Sequence, residues 1–256
     1  AFVVCSETNR HEEIVSALPA GKPVFVEKPL GFAKEDADRM AARLEGAIFS
    51  TGYFMRGNGA IRWIADRVKD GWFGQVTRAR ASNCHSGALG GWFDGEWRWM
   101  ADPKIAGCGA FGDLGTHVLD ILLLIFGEVE SATGAIGTGT ARYDGCDEFG
   151  EGLLKFRNGV VATFAAGWDD VANPVSFLVS GTKGHAAIID GKLVAKGEGI
   201  DGEVTDLAGA PAGFEAWLDA IEGRPAELVS PSEAAYRSAV MAAIYRGASE
   251  NRFTHP

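Results

Sequence analysis

The chain has 256 residues, 46% of them hydrophobic and 23% charged, with a net charge of −10. That is the make-up of a globular chain with a sizeable core, and it excludes wholesale disorder, a collagen-like repeat and a coiled coil. The acidic balance, with no Lys/Arg-rich run, argues against general nucleic-acid binding and against an anionic membrane surface.

Ala1 to Ser6 is a short apolar run suited to a buried parallel strand. Glu12 to Leu18 reads as a helix and Pro23 to Val26 as a second buried strand. Lys34 to Leu44 reads as an amphipathic helix with acids early and arginine late, and Ala47 to Tyr53 as a third strand. Strand, helix, strand, helix, strand at this spacing is the pattern of a helix-covered parallel sheet.

From about Tyr53 the pattern changes. Asn58 to Lys69 reads as a helix, Val76 to Ser82 as a strand, and Gly87 to Cys108, rich in glycine and tryptophan, as a long loop. Ala110 to Phe126 reads as a strongly apolar helix. Its longest apolar stretch, Val118 to Phe126, is too short for a bilayer, which needs about 20 residues. Strand-like segments follow at 130–138, 149–157, 160–167, 175–180, 185–190 and 193–195, separated by glycine turns. Such a succession predicts a mostly antiparallel sheet. Helices over Gly213 to Glu222 and Pro231 to Ser249 close the chain. The expected fold class is therefore α/β followed by α+β. Residues 1–53 form half of a parallel-sheet domain, and residues 54–256 form an open, mostly antiparallel sheet with helices on one face.

Cys5, Cys84, Cys108 and Cys146 show no zinc-type spacing and are too sparse for a disulfide scaffold, so free thiols in a reducing cytoplasm are expected. No metal site is expected. No signal-peptide pattern stands at the N-terminus. The chain opens with Ala1 directly in an apolar strand, which reads as a cut through a domain.

Three groups of residues could carry chemistry. Glu27-Lys28-Pro29 follows the second strand, and ligands of open α/β sheets bind outside the carboxyl ends of the strands. The pre-proline position biases Lys28 towards extended backbone, projecting its amine; the competing reading is a surface salt pair beside a turn. Asp113, His117 and Asp120 share one stripe of the apolar helix. Burying three titratable groups is costly unless they are paired or useful. The stripe reads either as a general base oriented by a carboxylate or as a core histidine bonded to Asp113. Asp120 has a simpler role open to it, pairing with an arginine. Trp92, Trp97 and Trp99, with Arg98, offer apolar faces and polar groups suited to a sugar ring, or else ordinary loop packing. His11, His85, His185 and His255 are scattered and receive no role. No G-x-G-x-x-G, P-loop, H-E-x-x-H or G-x-S-x-G is present.

Four segments, in order, carry a family resemblance. They are Val3-Val4 through Asn9-Arg10-His11, then Gly21 through Glu27-Lys28-Pro29-Leu30, then Gly71-Trp72-Phe73-Gly74, and then Gly107 through Asp113-Leu114-Gly115-Thr116-His117-Val118-Leu119-Asp120. In these, over nearly its whole length, the chain resembles the glucose–fructose oxidoreductase/inositol dehydrogenase (Gfo/Idh/MocA) family. The resemblance implies a partial Rossmann half-domain over 1–53 and a substrate-binding and oligomerisation domain over 54–256. It implies hydride transfer between NAD or NADP and a sugar, polyol or related alcohol. It assigns Lys28, Asp113 and His117 to catalysis, Thr8, Asn9, Glu27 and Lys28 to the cofactor, and Asp113 and His117 to the substrate, which Trp97 and Arg98 of the aromatic cluster are expected to bind as well. His117 takes the hydroxyl proton, Lys28 stabilises the oxygen, and Asp113 orients the imidazole or binds a neighbouring hydroxyl. A homodimer or homotetramer is implied. The family's opening strand and glycine-rich phosphate turn, about two βα units, are expected upstream of Ala1, so this chain alone is expected to bind the dinucleotide poorly. The alternative from another class is a non-catalytic sugar-binding or assembly protein on the same fold.

Overall fold

The computed structural model describes residues 1–256. Strands β1 (Phe2–Val4), β2 (Val24–Val26) and β3 (Phe49–Thr51) form a parallel sheet in the order β1-β2-β3. Helix α1 (His11–Ala17) connects the first two strands, and α2 (Lys34–Leu44) the next two. β2, the central strand, is buried at every residue, as a strand covered on both faces must be. On α2, Ala37, Met40, Ala41 and Leu44 recur at helical spacing and face the sheet. The Asp36 carboxylate accepts from the Phe32 and Ala33 N–H groups (both 2.8 Å), holding the helix entry.

Helix α3 (Gly59–Lys69), N-capped by the Asn58 side chain, leads into β4 (Val76–Cys84). The segment that reads as a plain loop in sequence contains a 3₁₀ turn over Arg98–Ala101 and a short helix, α4 (Pro103–Ala106). Asp102 caps α4 and proline opens it, while Gly107 closes it at φ 84°. The long helix α5 (Ala110–Phe126) follows, and then β5 (Val129–Gly137), β6 (Phe149–Phe156), β7 (Val161–Gly167), β8 (Val175–Gly181), β9 (His185–Ile189), β10 (Lys192–Gly197) and β11 (Ile200–Val204). These strands and β4 make one sheet in the order β11-β10-β9-β8-β4-β7-β6-β5. Every neighbouring pair is antiparallel except β4 and β7.

β11 is absent from the sequence reading. Ile200-Asp201-Gly202-Glu203-Val204 is an edge strand with no buried residue, so no apolar alternation marks it.

α5 lies across the inner face of this sheet. Its Phe111, Val118, Leu119 and Leu122 share one core with Phe164, Ala166, Ala79 and Ala81 of the strands. The close approach depends on glycine. A Cβ at Gly115 would lie 2.9 Å from the Phe164 ring, and one at Gly109 would lie 2.3 Å from the Asp147 carbonyl oxygen. Apolar enough to suit a membrane by composition alone, α5 is instead the core helix here.

The last helices, α6 (Phe214–Ile221) and α7 (Pro231–Glu250), return to the first sheet. Trp217 donates to the Ile48 carbonyl (3.0 Å), and Val229, Ala234 and Ala235 join the core of β1, β2 and α2. The two sheets are thereby tied together at both ends of the chain.

Candidate active site

β2 ends at Val26, and the chain turns out through Glu27 and Lys28 to Pro29 across a cis peptide bond. The Glu27 carboxylate accepts from the Lys28 N–H (3.1 Å) and lies against Gly52, where a Cβ would fall 2.5 Å from it. From this turn the Lys28 amine crosses to the first turn of α5. It donates to Asp113 Oδ1 (2.6 Å) and to the Asp113 carbonyl oxygen (3.3 Å). The two side chains are only 14% and 15% exposed.

The pair holds both charges. Burial pulls the Lys28 amine down, but the bonded Asp113 carboxylate outweighs it, and the pKa stands above the ordinary lysine value. Burial pushes Asp113 up, yet Lys28, His117 and the Trp168 N–H together hold its carboxyl below the usual range. Trp168, fully buried at the end of β7, donates from Nε1 to Asp113 Oδ2 (3.3 Å).

His117 lies one helical turn further along α5, 7% exposed. The Phe54 ring is 5.0 Å away and the Tyr53 ring 6.1 Å away, edge-on. Its Nδ1 is buried without a hydrogen-bond partner, and Asp113 gives it none. Desolvation above all, with the nearby Lys28 charge, pulls the imidazole down to about 3, so the ring is neutral at pH 7. The expected orienting bond from Asp113 is thus not made in this structure, because the carboxylate is engaged by Lys28 and Trp168.

Asp120, fully buried, is a structural anchor. Arg56 grips it with two bonds (2.8 and 2.6 Å), and Arg237 donates a third (2.8 Å). The grip holds the segment after β3 on α5, and in that segment Tyr53 Oη shares a hydrogen bond with Thr116 Oγ1 (2.9 Å). Thr8 is buried and Asn9 exposed in the 3₁₀ turn after β1. Trp97 is 54% exposed and Arg98 stacks on Tyr143 (4.8 Å), and neither is hydrogen-bonded to Lys28, Asp113 or His117.

Sequence reading passed over two site residues. Trp168 is one. The other is His85, on the α5-facing side just beyond β4, where Asp113 acts on its charge. The even alternation Ala79, Ala81, Asn83, His85 was the available signal.

The turns at the carboxyl ends of all three parallel strands carry polar or glycine residues, and the orphaned His117 Nδ1 waits for a partner beside them. These residues fit the nicotinamide end of a dinucleotide. A small parallel sheet joined to an open sheet, with amine, carboxylate and imidazole between them, is the arrangement of a dinucleotide-linked oxidoreductase.

Comparison with known proteins gives the family. A family model, the GFO/IDH/MocA C-terminal domain, matches residues 61–187. The chain is 30% identical over 243 residues to 1,5-anhydro-D-fructose reductase of Ensifer adhaerens, covering 93% of this chain and 68% of that protein. Among solved structures, aldose-aldose oxidoreductase from Caulobacter crescentus superposes at TM-score 0.82 with 23% identity, covering 99% of this chain and 78% of that one. Levoglucosan dehydrogenase in complex with NADH superposes at 0.83 with 20% identity, covering 98% and 78%. The chain belongs to the Gfo/Idh/MocA family of oxidoreductases.

Proposed function

We propose that the chain serves an NAD(P)-dependent enzyme that moves hydride between the nicotinamide and a carbinol carbon of a sugar or polyol. The observation that carries this is the 2.6 Å Lys28–Asp113 bond, which joins residues 85 positions apart beside a desolvated, neutral His117. Two relatives named for acting on sugars, the anhydrofructose reductase and the levoglucosan dehydrogenase, support the substrate class.

Thr8, Asn9, Glu27 and Lys28, at the ends of β1 and β2, hold the nicotinamide end. When bound, the dinucleotide supplies the two-electron acceptor or donor. The rest is done by side chains. Lys28 donates to the substrate oxygen and stabilises negative charge as it develops there. His117 is neutral, so it accepts the hydroxyl proton in oxidation and returns it in reduction. Asp113 keeps Lys28 protonated and offsets the positive charge gained by His117. Trp97 and Arg98 border the substrate from the loop before α4. The functional division falls near residue 53, with 1–53 serving the cofactor and 54–256 the substrate and assembly. The enzyme works in the cytoplasm as a homodimer or homotetramer.

The test is reduction of NAD⁺ and NADP⁺ by the full-length protein with a panel of sugars and polyols, followed by absorbance of the reduced nucleotide. Turnover with at least one sugar or polyol is expected. No reduction of either nucleotide with any of them overturns the proposal.

A further inference from the structure

Of the chain's seven tryptophans, only Trp92 and Trp97 are exposed, and both lie in the loop between β4 and α4. Trp92 is 57% exposed, yet it is not loose. Its ring stacks on His85, with centroids 4.8 Å apart and planes 32° from parallel. Its backbone N–H donates to the Gly87 carbonyl (2.9 Å).

Glycines make this stack possible. A Cβ at Gly87 would lie 2.6 Å from the His85 ring, and one at Gly90 would lie 2.9 Å from Trp92 Nε1. Beyond the stack the loop is pinned. Asp94 accepts two bonds from Arg142 and one from Tyr143 Oη (3.2 Å). Phe93, pointing inward, packs on Trp168 at 4.1 Å.

The stack also has a direction. Ala79 and Ala81 are buried towards α5, and Asn83 donates to the Leu114 carbonyl on that helix (3.1 Å). Two residues on, His85 continues the same face by strand alternation, and the Asp113 charge reaches its ring. Its Nδ1 accepts the Gly87 N–H (2.9 Å), so the neutral ring carries its proton on Nε2. Phe93, next to Trp92 in the loop, packs on Trp168, whose Nε1–H bonds Asp113, so the loop that carries the stack adjoins the reacting groups.

We propose that Trp92, backed by His85, is a subsite for a second ring, and that the substrate is a glycoside or disaccharide rather than a free monosaccharide. This rests on the sugar-oxidoreductase reading of the Lys28–Asp113–His117 site. The reacting ring occupies that site, and the ring joined to it lays its C–H face on Trp92. An aromatic face fixed before binding adds contact at little entropic cost.

The test measures dissociation constants for glucose, cellobiose, maltose and phenyl β-glucoside by tryptophan fluorescence, without nucleotide. The variants are W92A, W92Q and W92F, each checked by its melting temperature. At least one two-ring ligand is expected to bind roughly 3- to 10-fold tighter than glucose, the span of one aromatic contact. That ratio should fall to near one in W92A or W92Q and be largely restored in W92F. A ratio near one in the unaltered protein, or one that survives both truncations, overturns the subsite while leaving the sugar reading in place. Binding of none of the four ligands by the folded protein overturns the subsite, while the sugar reading stands or falls on the turnover test above.

Discussion

Removing the Lys28 amine takes a donor from the substrate oxygen and also strands the Asp113 carboxylate, which keeps only the Trp168 N–H. The two effects are separable. In the intact enzyme Lys28→Ala and His117→Ala should each lower kcat by roughly 10²–10⁴-fold, with nucleotide affinity largely kept. Near-normal rates in both would mean that these are structural residues. Lys28→Met should also destabilise the fold by about 2 kcal/mol in urea titration, because a largely buried carboxylate is left uncompensated. Adding Asp113→Asn should recover part of that loss, and strict additivity would show that the pair is not coupled. His117 gives an acid test of opposite origin. Folded, it protonates only near pH 3; unfolded, it protonates near the ordinary value of about 6.5. Between these values the unfolded chain binds more protons, so stability falls as the pH is lowered, by up to about 1.4 kcal/mol per unit. This contribution is complete above about pH 7 and drains away below it. His117→Gln should therefore lose stability less steeply than the unaltered protein between about pH 6 and about pH 4. Equal slopes in denaturation at both pH values would rule out a neutral buried ring.

At the scale of the element, α5 is held by a cap that its own sequence does not supply. Gly109 stands at the N-cap and has no side chain to offer. The Asp147 carboxylate, 38 residues downstream, accepts from the Gly109 N–H (3.0 Å) and the Phe111 N–H (2.7 Å) instead. Tyr245 on α7 donates to the same carboxylate (2.9 Å). Because Asp113 lies in that first turn, the cap also fixes the height of the Lys28 contact. Asp147→Ala should cost about 1–2 kcal/mol, visible as a lower melting temperature. It should also raise KM for the sugar, since Asp113 loses its fixed position. An unchanged melting temperature would show that the first turn is held by packing alone. The helices themselves were legible. Lys34–Leu44 and Ala110–Phe126 fall where the periodicity puts them, because an apolar stripe repeats at 3.6 residues wherever a helix faces a core. α4 and β11 were not read, the first being a single turn and the second an edge strand without a buried face.

For the whole molecule, the open face of the eight-stranded sheet is the dominant surface. Its inner side is filled by α5, while the outer side presents Phe149, Val161 and Ile189, each at least 40% exposed, among charged residues such as Arg78 and Arg80. A sheet covered on one face with apolar residues on the other calls for a partner. A second copy meeting this face would form the homodimer or homotetramer proposed above. Light scattering on the full-length protein should give a dimer or tetramer mass, and Val161→Glu should shift it to monomer without lowering secondary-structure content. A monomer before any substitution would exclude this assembly.

The sequence by itself determined the local periods and the residue types. These gave the two kinds of sheet, the helix boundaries, and a short roster of titratable groups in apolar surroundings. Alternation and helical spacing are properties of neighbouring residues, so they survive in the bare chain. Only the tertiary structure decided which of those groups meet. Asp113 was placed one turn from His117, where an orienting bond was the natural reading. The fold gives the carboxylate to Lys28 and Trp168 and leaves the imidazole buried beside Tyr53 and Phe54. Asp120 became the anchor of Arg56 and Arg237, and His85 reached the site from a strand whose polar end carried no motif. Such pairings depend on strand order and on how α5 lies across the sheet. Strand order comes from contacts between segments far apart in the chain, and no local pattern of residues encodes it.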